Sequence, residues 1–212
     1  MAIKPILFNT EMVRAILDER KSCTRRLISS RQFLGMLPDK CKNATPDEFL
    51  KGKRMMFKPY CDMTDAELIM TAYKAPYEPG DILYVRETWK KATNGYYYYE
   101  DWQRNDIADV TKWKPSIHMP KEAARIWLKV TDVRIERLHN ITEDGAKAEG
   151  AIDNRGFIHS PENEYDRIHT AREHFIKIWN STIKKSDLDR YGWDENPYVW
   201  VIEFERCEKP EE

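Results

Sequence analysis

The segment Tyr77-Glu78-Pro79-Gly80-Asp81, followed by Ile82-Leu83-Tyr84-Val85-Arg86-Glu87-Thr88-Trp89, leaves this chain the least freedom. Proline fixes φ at one turn position and glycine supplies a positive φ at the next, so Pro79-Gly80 turns the chain sharply. The β-rich run behind it predicts a strand from Ile82 that ends where a charge pair and an indole leave the core. Ile6-Leu7-Phe8, Arg125 through Ile135 and Tyr198 through Phe204 predict further strands, and Glu67 to Tyr73 a weaker one. Helical patterns fall between them. Asn9 or Thr10 caps a helix with Met12, Val13, Ile16 and Leu17 on one stripe. Thr142 caps another, with Glu143 and Asp144 in its first turn, and Gly150 stops it with Glu149 in the last turn. Ile168, Ala171, Phe175, Ile178 and Trp179 mark a third, running to about Ile183. The expected fold class is α+β, a small mixed β-barrel of about six strands with flanking helices.

A single domain over residues 1–212 is expected, swollen by insertions at about 30–76 and 90–115. The first is irregular, with Pro38, Pro46, Gly52 and Pro59, and a short helix after Thr45-Pro46-Asp47-Glu48. The second carries Tyr96 to Tyr99, a run that either stacks on bases or forms half a hairpin with one face buried. Pro115-Ser116-Ile117-His118-Met119-Pro120 reads as an extended, tightly routed loop. A hydrophobic fraction of 41% supports a core. The net charge of −1 argues against coating duplex nucleic acid by bulk charge, while leaving room for a local basic groove. Cys23, Cys41, Cys61 and Cys207 form no CxxC pair and have no histidine at zinc-finger spacing, so free thiols and no metal or cofactor are expected. The apolar start is too short for a signal peptide and no run approaches the ~18 residues of a membrane span. These features predict a soluble, cytoplasmic protein with no membrane partner.

The densest chemistry lies in Glu19-Arg20-Lys21-Ser22-Cys23-Thr24-Arg25-Arg26, at the end of the first helix. Lys21 and Thr24 stand three apart and would share one side of a helical turn. The stretch is either a solvated basic helix end, suited to the negative pole of the macrodipole, or part of a site.

Arg20-Lys21-Ser22-Cys23-Thr24-Arg25-Arg26, then Pro79 through Trp89, Pro115 through Pro120, Arg125, the Thr142 to Gly150 helix and the closing Tyr198 to Phe204 strand follow one another as in a known family. In these segments the chain resembles the ASCH domain family of the PUA-like superfamily, and among its members the enlarged versions of bacteriophages and prophages. The resemblance implies a PUA-like barrel that binds RNA or a nucleotide in a cleft. It departs at Glu19, where the family commonly has glycine, so the helix cap is less well made here. One bacterial branch removes the acetyl group from N4-acetylcytidine. The positions matching its Lys, Thr and Glu are Lys21, Thr24 and Glu149.

On that resemblance the leading expectation is binding of RNA or a modified nucleoside by Lys21, Thr24, Arg25, Glu87, Trp89 and Glu149, with Arg26 setting the field or holding a phosphate. An alternative is amide hydrolysis, in which Thr24 attacks an acetyl carbonyl, Lys21 takes its proton and Glu149 donates a proton to the leaving amine. Ser116, His118 or loop N–H groups would then hold the oxyanion. A second alternative is a phage accessory protein that binds a host protein through its tyrosine-rich insertion. Each residue also has a plain structural role open to it. Lys21 with Glu149 would make a salt bridge, Glu87 with Arg86 an internal pair, Trp89 core, and His118 a hydrogen-bonded loop residue.

Overall fold

The computed structural model describes residues 1–28, 32, 46–50, 64–105, 111–155 and 169–211. Its strands are β1 (Ile3–Leu7), β2 (Cys23–Leu27), β3 (Ile82–Arg86), β4 (Trp89–Ala92), β5 (Gly95–Tyr98), β6 (Trp127–Arg137) and β7 (Tyr198–Cys207). Its α-helices are α1 (Thr10–Leu17), α2 (of which 46–50 are described), α3 (Asp65–Ala72), α4 (Tyr99–Gln103), α5 (Glu143–Ala148), α6 (Ala171–Thr182) and α7 (Leu188–Tyr191). The α+β class expected from the sequence holds. The described strands form an open five-stranded sheet in the order β1-β3-β6-β7-β2, with β4 and β5 as a separate pair, rather than a closed barrel.

The residues divide into two compact units, each discontinuous in sequence. The first comprises Met1–Ser22, Tyr77–Asp132 and Glu203–Glu212. The second comprises Cys23–Pro76 and Val133–Ile202.

In the first unit the Pro79-Gly80 turn does what its chemistry requires, with Gly80 at φ +90°. Asp81, only 4% exposed, then accepts hydrogen bonds from the Ala2 N–H at 2.8 Å, the Lys4 ammonium at 2.6 Å and the Glu78 N–H at 3.1 Å. One carboxylate thereby ties the turn to the N-terminus, and β1 lies parallel to β3 with Ile3 opposite Ile82 and Leu7 opposite Arg86. The core of this unit gathers Ile82, Trp89, Met119, Ala123 and Trp127, with Tyr84, Tyr96 and Tyr98 against them. Three of the four consecutive tyrosines form half of a hairpin, Tyr96 to Tyr98 pairing with Lys91 to Trp89, and Tyr99 opens α4.

The second unit packs α5 and α6 around Leu138, Ile141, Phe175, Trp179, Trp193, Val199 and Val201. Thr142 caps α5 by accepting from the Gly145 N–H, as its position predicts. The strand expected over Glu67 to Tyr73 is instead α3. Its first turn is fixed by a capping box in which Thr64 and Glu67 satisfy each other's backbone donors, and that local pairing overrides the β character of the run. Ile168, residues 156–163 of the expected loop, Cys41 and Cys61 lie outside the described residues, whereas Cys23 and Cys207 are free thiols.

The basic stretch also differs from expectation. Helix α1 ends at Asp18, Glu19 turns left-handed at φ +59°, and the Arg20 and Lys21 N–H groups both donate to the Ala15 carbonyl. The chain then leaves the helix axis and runs extended from Cys23, so Lys21 and Thr24 do not share a helical turn. A residue with a Cβ in this conformation costs about 1 kcal/mol that glycine does not. Glu19→Gly should therefore raise the thermal midpoint, by about 1 kcal/mol of stability, and Glu19→Val should lower it.

Burial alone would push the Asp81 carboxyl up. The hydrogen bonds from Lys4, Ala2 and Glu78 outweigh it and hold the group below its ordinary value of 3.8. A depressed carboxyl stabilises the fold above its unfolded value and loses that contribution as pH falls through the folded one. Denaturant titrations of wild type and Asp81→Asn should therefore differ at pH 7 by about 2 kcal/mol, and converge well below pH 3.8.

Candidate functional site

In the second unit, β2 opens with three buried residues, Cys23, Thr24 and Arg25. Buried charge is expensive unless paired, and the Arg25 side chain is only 4% exposed. It donates through one terminal nitrogen to Glu149 at 3.2 Å and through the other to Glu136 at 3.4 Å. Its remaining Nε is buried without a hydrogen-bond partner. The guanidinium lies 6.0 Å from the Phe175 ring centroid, and Cys23 Sγ is 3.8 Å from Nη1.

The partners arrive from two elements. Glu149 is the C-cap of α5, its N–H bonded to the Gly145 carbonyl, and Gly150 behind it is left-handed at φ +92°. Glu136 stands on β6, where Arg134 two residues earlier on the same strand face donates to it at 2.7 Å. Helix α5 presents Gly145 to the arginine, so that a Cβ added there would sit 3.6 Å from Nη2 and 3.2 Å from the Thr142 hydroxyl. The result is a chain of charge, Arg134–Glu136–Arg25–Glu149, while the buried Thr24, next to Arg25 on β2, falls on the alternate strand face. The chain of charge can hold a carboxylate in a set orientation, as acid–base chemistry or recognition of a polar base requires.

Lys21 belongs to the first unit, where it is buried with its ammonium 5.4 Å from the Phe8 ring centroid. The same unit holds Glu87, which is 2% exposed. Arg125 meets it through two bonds of 2.9 and 3.0 Å and reaches Asp101 at 2.7 Å, while its guanidinium covers the Tyr98 ring at 4.1 Å. Burial holds the Glu87 carboxyl above its ordinary range, and Arg125 pulls it back only in part.

Trp89 is 5% exposed, with Tyr96 tilted against it at 5.8 Å and the Lys114 ammonium over its ring at 5.1 Å. Ser116 and His118 lie on a short 3-10 turn, Ser116 half-buried and His118 exposed. Arg86 holds that turn by donating to the Met119 and Ile117 carbonyls rather than to Glu87. Arg26 is half-buried on β2. The structure thus pairs Arg25 with Glu149 in the second unit, with Thr24 buried elsewhere in that unit, and places Lys21, Glu87, Trp89, Ser116 and His118 in the first. Glu136, Arg125 and Asp101 were not among the site residues expected from sequence. The alternation through Arg134 and Glu136 marks both as one strand face, but nothing local names Arg25 as their partner.

Comparison with solved structures finds similarity to the ASCH domain from Lactobacillus crispatus JV V101, at 11% identity over 97% of this chain and 79% of that one, with a TM-score of 0.37. No family model and no curated protein matches the chain. Among the described residues, no helix is long and apolar enough to cross a membrane.

Removing Arg125 would leave Glu87 buried without its main partner. Arg125→Met should destabilise the protein by about 3 kcal/mol at neutral pH, read by denaturant unfolding. A carboxyl raised in the folded state takes up a proton on folding, so stability falls as pH rises from its ordinary 4.5 through the raised value. The deficit of Arg125→Met should therefore shrink on acidification toward pH 5. An unchanged deficit between pH 5 and 8 would show that Glu87 is not the group responsible.

Proposed function

We propose that this chain binds RNA or a modified nucleoside, using the centre built on Thr24, Arg25 and Glu149. The observation that carries the reading is the burial of all three within one unit, with Arg25 linked to Glu149 at 3.2 Å. Such a centre is a poor way to stabilise a fold, because apolar residues of similar volume do as well or better. It is a good way to present a fixed carboxylate to the polar edge of a base. The likeness of Arg20 through Arg26 and of the Thr142 to Gly150 helix to the ASCH family supports a nucleoside or RNA as the ligand class.

The finer reading is hydrolysis of an acylated nucleoside such as N4-acetylcytidine. The Thr24 oxygen attacks the acetyl carbon as its hydroxyl proton is taken up, the step that the family likeness gives to Lys21. The C–N bond breaks as Glu149 hands the leaving amine the proton that Thr24 released, and water then releases acetate from the threonine ester. A hydroxyl and a carboxylate buried within one unit favour this chemistry over a docking surface for a host protein.

A panel of modified and unmodified ribonucleosides, read by calorimetry for binding and by mass spectrometry for turnover, tests both levels. Wild type should bind at least one member and, on the finer reading, convert N4-acetylcytidine to cytidine and acetate. Thr24→Val and Glu149→Gln should each slow that release about a hundredfold or more while leaving binding measurable. Acetate release at wild-type rates from Lys21→Ala, Thr24→Val and Glu149→Gln would remove the hydrolytic reading. Failure to bind any nucleoside or RNA would remove the proposal itself.

A further inference from the structure

The β4–β5 hairpin of the first unit has two faces of different character. Pairing sets Trp89 opposite Tyr98 and Lys91 opposite Tyr96, and Lys114 bridges to Trp89, so these five residues share one face. On that face Trp89, Tyr96 and Tyr98 join the core around Met119 and Trp127, and the Tyr98 hydroxyl donates to the Ala123 carbonyl at 2.7 Å.

The other face carries the Lys90–Tyr97 pair, and a second aromatic group assembles there. Tyr97 lies edge-on to Trp102 at 5.9 Å, Trp102 to Trp113 at 5.4 Å, and Trp113 to Tyr99 at 5.5 Å, with planes crossing at 83°, 84° and 87°. All four rings keep part of their surface in solvent. The Lys90 ammonium is hydrogen-bonded to the Thr111 hydroxyl, which ties the Trp113 segment to the hairpin. Lys112 and Lys114 flank Trp113 in the chain, and both are exposed. Among the described residues, Lys90, Lys112 and Lys114 enter no ion pair.

We propose that this outer face binds single-stranded nucleic acid, with bases stacking on Tyr97, Trp102 and Trp113 and phosphates meeting Lys90 and Lys112. Partly open rings set among unpaired lysines supply the two contacts such ligands need, stacking and backbone neutralisation. Protein-binding patches also enrich tyrosine and tryptophan but are depleted in lysine, so the lysines decide for a nucleic acid over a protein partner. Duplexes hide their base faces and are held mainly through charge, which a chain of net charge −1 supplies poorly. The proposal extends the RNA reading, on which it rests for ligand class, to a second set of residues, and its test uses none of the first.

The test is titration of the full chain with a labelled oligouridine octamer, followed by anisotropy and by quenching of tryptophan fluorescence, beside a duplex of equal length. The octamer should bind, quench, weaken with salt and outcompete the duplex. Trp102→Leu and Trp113→Leu should each weaken binding about tenfold or more. The exposed substitution Lys112→Gln should lower the slope of log affinity on log salt by about 0.7, and serves where a tryptophan variant fails to fold. No binding of the octamer overturns the proposal whatever the nucleoside panel gives. Binding that neither the tryptophan nor the lysine substitutions alter overturns it as well, while leaving RNA binding by other residues standing.

Discussion

Arg25 keeps its charge at any pH the fold survives, so its burial dictates what must surround it. Two carboxylates, Glu149 and Glu136, are drawn to it from α5 and β6. A single guanidinium thus sets the relation of β2 to a helix and to a second strand within one unit. Helix α5 comes close to the arginine at Gly145, where an added Cβ would stand in ordinary contact with Nη2 at 3.6 Å and tighter, at 3.2 Å, against the capping Thr142 hydroxyl. Stability alone does not account for such a group, since apolar replacements of buried ion pairs are commonly neutral or better. What the charge does in the fold is fix where the Glu149 and Glu136 carboxylates stand.

The first unit solves burial of charge the other way round. There the deeply buried members are carboxylates, Glu87 and Glu100, and the arginines that meet them stay partly in solvent, Arg125 at 24% and Arg14 at 38% exposed. A buried carboxyl can shed its charge by taking up a proton, and a guanidinium cannot. The Glu87 centre consequently responds to pH, as its raised position shows, whereas the charge at the heart of the second unit is fixed. Two ionic arrangements that look alike in a contact map differ in which partner can yield.

What could be read from the sequence follows the range of the interaction. The turn at Pro79-Gly80, the Thr142 cap and the Gly150 stop are local chemistry, and each stands where the residues put it. Asp81 was legible as a turn residue but not as the clamp on Ala2 and Lys4, because those partners are nearly eighty positions away. Helix α3 is a different case. The Thr64–Glu67 capping box is visible in the residues themselves, but the apolar run behind it has the look of a strand. For the site, Thr24 and Glu149 were reachable only through a family likeness. Glu136 was not reachable at all, because its role is defined by a partner on another strand.

The division of labour between the two cations bears on how a nearly neutral chain could hold a polyanion. Arginines are used internally throughout both units: Arg14 with Glu100, Arg25 with Glu149, Arg125 with Glu87, Arg137 with Asp47 and over the Tyr198 ring. Their planar, multidentate heads suit fixed carboxylate partners, and once so engaged they have little charge left to offer. The lysine next to Trp113 in the chain is placed differently, with Lys112 exposed and, among the described residues, in no ion pair. A strongly hydrated ammonium on a flexible stem makes a poor internal brace but a ready contact for a phosphate that changes position from one nucleotide to the next. Net charge over the whole chain does not show which cations are left exposed.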